Sequence, residues 1–215
     1  MKKVKFISFL LLLTMSTTTV IFNSCSKDDD DKEKYYDEGV IINGVRWATR
    51  NVAAPGTFAA KPEDAGMFYQ WNRKKAWSAT GDVTDWNASI PEGDSWVKSN
   101  DPSPAGWSVP TYEKIGTLFD KEKVTNEWTT KNGIKGIKFT DTATGESLFL
   151  PAAGARAESN GVLYGAGSLD RWYGSYWSST KNESIDAYLL SFNSDDVFRY
   201  NSYRSYGLSI RSIAE

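Results

Sequence analysis

Cysteine occurs once in the 215 residues, at Cys25. No disulfide can therefore close within one copy of the chain, and whatever folds must be held by burial and hydrogen bonding. The means are present. Nine tryptophans, eleven tyrosines and ten phenylalanines point to a compact aromatic core and to contact surfaces. Residues 39–215, 177 in number, have the usual size of one domain.

What precedes that domain has its own layout. Lys2, Lys3 and Lys5 form a basic start, Phe6 to Leu13 an apolar stretch, and Ser24 is a small residue before Cys25. This is the layout of a cleaved secretory signal over residues 1–24, too short to span a bilayer as a helix. A cysteine at the cut resembles the signal of bacterial lipoproteins, in which that thiol is acylated; Phe22 departs from the leucine commoner there. The resemblance implies lipidation of Cys25. Each buried methylene is worth about 0.8 kcal/mol, so two or three acyl chains make a stable tether. Residues 25–38 then read as an acidic spacer whose like charges repel and bury nothing. Its Lys27 and Asp28–Asp31 resemble the export signal of Bacteroides-group surface lipoproteins. The implied location is the outer membrane, lipid-anchored and facing the exterior.

Charge and residue types exclude several functions. Without signal and spacer, 19 basic and 20 acidic residues remain, no excess to neutralise a phosphate backbone, so no nucleic-acid partner is expected. Histidine is absent, which removes the commonest general base and transition-metal ligand. No phosphate loop, His-Glu-x-x-His helix or Gly-x-Ser-x-Gly elbow occurs. No catalytic residue, metal or cofactor is assigned. A pair of carboxylates, as in glycosidases, is the remaining route to catalysis.

Local patterns favour strands. Asn43-Gly44 between Val40–Ile42 and Val45–Ala48 predicts a type I′ hairpin. Gly66–Trp71 reads as a strand, and Trp77–Pro104 as a long irregular segment. A helix is expected from Pro110-Thr111, with Thr111 as cap, to about Lys121; Tyr112, Ile115, Leu118 and Phe119 form its apolar stripe. Strands follow at Lys135–Thr140, Ser147–Leu150, Tyr188–Phe192, Val197–Tyr200 and Leu208–Ile213. Few helices among many short strands predict an α+β or mostly-β domain.

Pro104-Ala105-Gly106-Trp107-Ser108-Val109-Pro110-Thr111-x-Glu113 resembles the hallmark of the Fibrobacter succinogenes major paralogous domain. Trp47 with Asn51, Tyr69-x-Trp71, Leu150–Arg156, Gly174-x-Tyr176-Trp177-Ser178-Ser179-Thr180 and Arg204-x-x-Gly207-x-Ser209-Ile210-Arg211 resemble its further elements in order. The resemblance implies an α+β, single C-type-lectin-like domain over residues 39–215, similar also to formylglycine-generating enzymes. The cysteines of that enzyme branch are absent. So are the Glu-Pro-Asn, Gln-Pro-Asp and Trp-Asn-Asp triplets of calcium-dependent sugar binding. Family cysteines before Pro104 and after the last arginine are here Ser103 and Ser212; their joint replacement predicts that these serines are neighbours. Trp47, Trp107 and Trp177 are expected in the core. Gly106, Gly154, Gly174 and Gly207 are expected at turns or close approaches, and Arg156, Arg204 and Arg211 to bond within the fold.

Binding is placed between those motifs. Ser168–Tyr173, Asn193–Asp196 and Tyr200–Tyr203 alternate Tyr, Ser, Asn and Asp, the composition of adaptable recognition loops. The candidate ligand-binding residues are Asp170, Arg171, Trp172, Tyr173, Asn193, Ser194, Asp195, Asp196, Tyr200, Asn201 and Tyr203. The pattern also resembles the variable region of diversity-generating retroelement target proteins. An extracellular protein or glycan is the expected ligand. A structural component of a surface assembly is the competing reading, and a carboxylate hydrolase a third.

Overall fold

One four-stranded sheet, two three-stranded sheets and two strand pairs make up the described residues. The computed structural model describes residues 36–164 and 174–215. The signal, Cys25 and most of the spacer lie outside the described residues, as do Asp170, Arg171, Trp172 and Tyr173. The strands, in order, begin with β1 Val40–Ile42, β2 Val45–Trp47, β3 Met67–Tyr69, β4 Ala76–Ser78 and β5 Trp107–Ser108. They continue with β6 Val124–Lys131, β7 Ile134–Asp141, β8 Ser147–Pro151, β9 Ala155–Arg156 and β10 Leu163–Tyr164. β11 Gly174–Lys181, β12 Asp186–Phe192, β13 Val197–Tyr203 and β14 Ile213–Ala214 complete the set. One helix, α1 (Tyr112–Gly116), runs into a 3-10 turn at Thr117–Phe119.

This corrects the α+β, C-type-lectin-like expectation. The fold is β-rich, 41% strand, with one short helical element of 8 residues and, among the described residues, no helix of the kind that fold carries. The apolar stripe from Tyr112 to Phe119 is real, since Ile115 and Leu118 are buried. Thr111 caps its start, accepting from the Lys114 N–H at 3.2 Å. Gly116 and Thr117, however, are poor helix formers, and the last turn tightens and stops.

Hairpin chemistry was a better guide. Asn43 and Gly44 both adopt positive φ, 46° and 75°, and join β1 to β2 in the register Val40↔Trp47. Asn132 and Gly133 repeat the device between β6 and β7, with φ 48° and 86°. The sheets are ordered β1-β2-β14-β5, β6-β7-β8 and β11-β12-β13, with β3-β4 and β9-β10 as separate pairs.

The β11-β12-β13 sheet separates two cores. Tyr176, Leu190 and Phe192 enter one with Ile42, Trp47, Ile115, Leu118, Phe139 and Leu150. Their strand neighbours Trp177, Leu189 and Ala187 enter the other with Val52, Tyr69, Trp71, Trp96 and Leu208. The alternation of side chains across a strand accounts for this division. Gly174 is where β11 meets β12: a Cβ there would lie 2.1 Å from the Phe192 ring.

At the N-terminal edge, Asp37 lies inside the segment read as spacer yet is buried. Its carboxylate accepts from the Gly39 and Thr49 N–H groups, the Thr49 hydroxyl and Arg50 Nε.

Candidate functional site

The motif residues are scaffold. Trp47, Trp107 and Trp177 are buried. Trp177 Nε1 donates to the Tyr69 carbonyl at 2.8 Å, and Trp71 Nε1 to the Ser178 carbonyl at 3.0 Å. Asn51, fully buried, donates to the Ala65 carbonyl and Tyr176 hydroxyl while accepting from Arg211 Nε at 2.9 Å. Burial lowers the Arg211 guanidinium to about 10 and raises the Tyr176 phenol to about 12. Arg156 donates to the carbonyls of Ser78, Thr80, Gly81 and Gly161. Arg204 donates to those of Gly93 and Ser184 and lies over the Trp71 ring at 5.0 Å. All three arginines bond within the fold.

The described candidate binding residues lie on one hairpin. Asn193–Asp196 is the turn joining β12 to β13, and Tyr200, Asn201 and Tyr203 belong to β13 itself. They form an edge strand, not a loop. Asn193 builds the turn: its Oδ1 accepts from the N–H groups of Asp195 and Asp196 at 2.8 and 2.9 Å. Ser194 donates to the Asp195 carboxylate at 3.0 Å, and Asp196 Oδ1 accepts from the Val197 N–H at 2.8 Å. Asn201 donates across the strand to Asp186 Oδ2 at 3.0 Å.

These residues do not converge in one chain. Asp196 and Tyr203 are seven residues apart along an extended strand, roughly 24 Å. Tyr200 and Tyr203 leave it on opposite faces, 48% and 45% exposed. Tyr200 packs edge-on to Phe198, centroids 6.3 Å apart. On the other face Arg199 stacks over Tyr112 at 4.6 Å, and Tyr112 in turn on Tyr188 at 4.1 Å.

A cluster that composition did not single out gathers at the Tyr203 end. The Arg156↔Gly207 bridge, with hydrogen bonds in both directions, draws β9 and β10 to the chain after β13. Glu158, Tyr164 and Tyr203 lie near enough to Tyr206 there to act on its phenol. Burial pushes the Tyr206 phenol well above its ordinary value, helped by a hydrogen bond to Glu158 and by that carboxylate, Tyr164 and Tyr203 nearby. Tyr164 and Tyr203 stay exposed. The Tyr203-x-x-Tyr206 spacing was the available signal.

A concavity of about 630 Å³ is lined by Ala59, Glu63, Gly66, Ala79, Ile134 and Ala153 among others. Asn132 from the β6–β7 turn donates to Glu63 at 2.7 Å and holds its carboxyl below the ordinary range. That bond favours the ionised form of the Glu63 carboxylate. Among the described residues no group of three or more His, Cys, Asp or Glu side chains is placed to hold a metal ion, and no helix is long and apolar enough to cross a membrane.

One family profile, described as a domain of unknown function (DUF8237), matches residues 121–213. That stretch contains both three-stranded sheets and the tyrosine cluster. No curated protein and no solved structure matches the chain.

Proposed function

We propose that this chain is a surface lipoprotein, tethered to the outer membrane through Cys25, whose domain binds an extracellular protein or glycan. The rim formed by Tyr164, Tyr203 and Tyr206 is the contact surface. One observation carries the reading. Two large amphipathic rings, Tyr164 and Tyr203, are left exposed at one end of β13 with Tyr206 half-buried beside them, while the tryptophans and arginines behind them are locked in place. Rigid tyrosines on a fixed scaffold give contact area at little entropic cost.

The test is binding by the full-length lipidated chain on protein and glycan arrays. The double variant Tyr164→Ala/Tyr203→Ala is expected to lose at least about tenfold in affinity, typical of interface anchors, with an unchanged near-ultraviolet dichroism spectrum. Full binding by the folded variant overturns the assignment. The tether is tested by mass spectrometry of Cys25, where an unmodified thiol overturns it.

A further inference from the structure

The open edge of β13 fits a second copy of the same edge. The Asn193 N–H donates to the Asp196 carbonyl, and the Arg204 N–H to the Ile185 carbonyl. Both bonds lie on the register that pairs Phe192 with Val197 and Asp186 with Tyr203. In an antiparallel pair, bonded and non-bonded positions alternate. Phe198, Tyr200 and Ser202 therefore turn their backbone groups to β12, while Val197, Arg199, Asn201 and Tyr203 turn theirs outward.

Two of those outward groups are already used. The Val197 N–H donates to Asp196 Oδ1, and the Tyr203 carbonyl accepts from the Tyr206 N–H. What remains, with no partner among the described residues, is the N–H and C=O of Arg199 and Asn201, the Val197 C=O and the Tyr203 N–H. The strand has no bulge, no proline and no lysine, the devices that ordinarily close an edge.

We propose that two copies pair antiparallel through β13 about a two-fold axis at Tyr200. In this register Arg199 faces Asn201 and Val197 faces Tyr203. The consumed Val197 N–H then meets the consumed Tyr203 carbonyl, so each remaining donor finds a remaining acceptor. No like charges oppose, because Arg199 is the only charged residue of the strand and lies opposite Asn201. The two sheets become one of six strands, and the interface is isologous.

The pairing also completes the surface proposed above, on which this consequence rests. It brings the Asn193–Asp196 turn of one copy beside Tyr203 of the other, joining residues that a single chain holds at opposite ends of a strand.

Sedimentation and cysteine crosslinking of the full lipidated chain in detergent test the pairing independently of any ligand. The chain is expected to sediment at twice its own protein mass. Asn201→Pro removes an outward donor and is expected to halve that mass while the near-ultraviolet spectrum stays unchanged. With the Cys25 thiol acylated, Tyr200→Cys is expected to form a disulfide dimer under mild oxidation, and Phe198→Cys only when mixed with Ser202→Cys. A monomeric chain overturns the proposal and leaves the edge to an extended segment of another protein. A dimer that crosslinks through Phe198→Cys alone, or not through Tyr200→Cys, overturns it equally. Ligand binding retained by monomeric Asn201→Pro separates failure of the composite surface from failure of the tyrosine rim.

Discussion

The Ser212 hydroxyl donates to the Ser103 hydroxyl at 2.7 Å, joining positions 109 residues apart. The neighbourhood anticipated from two family cysteines is thus present, with a hydrogen bond in place of a covalent link. Ser103→Cys/Ser212→Cys is expected to form a disulfide. Closing so long a loop contributes about 4 kcal/mol on the chain-entropy account, a rise of about 10 °C in melting temperature. Non-reducing electrophoresis and thermal melts with and without reductant check it.

Asp37→Ala strips the buried Arg50 of its carboxylate, an ion pair at 3.2 Å with little exposure on either side. Removing one partner of such a pair costs about 3 kcal/mol or more. Urea titration should show the midpoint fall with an unchanged slope.

Gly174→Ala and Gly44→Ala separate two uses of glycine. At Gly174 the new methyl meets the Phe192 ring, whereas at Gly44 nothing lies within 4 Å and only the positive φ is strained. Gly174→Ala is expected to lose about 3 kcal/mol or more, and Gly44→Ala about 1 kcal/mol. Equal losses in denaturant melts would contradict the packing of β11 on β12.

Asp141 accepts from the Asn43 N–H, from the Thr144 and Ala143 N–H groups and from the Thr144 hydroxyl, and these bonds lower its pKa from 3.8. A carboxyl lowered by folding stabilises the native state above its unfolded pKa. That contribution is lost as the pH falls from 3.8 through the lower folded value. Asp141→Asn should therefore be less stable at neutral pH and show a shallower loss across that acidic window, read from melts at a series of pH values.

Much of the fold was legible where local chemistry acts alone. The Asn43-Gly44 turn, the cap at Thr111 and the strands β7, β8, β12 and β13 follow from turn residues and β-branched runs. β6 escaped because an edge strand, Val-Thr-Asn-Glu-Trp-Thr-Thr-Lys, lacks apolar alternation, although Asn132-Gly133 marked its end. β11, rich in serine, is buried by its neighbours and not by its own composition. Leu208–Ile213 read as one strand, but Leu208 bridges Tyr69 and Ser209 bridges Tyr176, contacts that no local pattern encodes. The tyrosine cluster was legible only in part: the Tyr203-x-x-Tyr206 spacing is local, but Tyr164 and Glu158 reach it through tertiary pairing, the Arg156↔Gly207 bridge included.

Arg156, Arg204 and Arg211 all hold their loops through neutral carbonyl or amide oxygens. The hydrogen-bond acceptors of these clasps carry no charge that acid can neutralise, and the carboxylates nearby, Asp82, Asp94 and Asp37, act on the guanidinium groups through space and not as the clasping partners. The loops flanking β13 should therefore keep their arrangement in brine or mild acid. Any weakening of adhesion under those conditions would report on the ligand and its contacts, not on a collapsing scaffold.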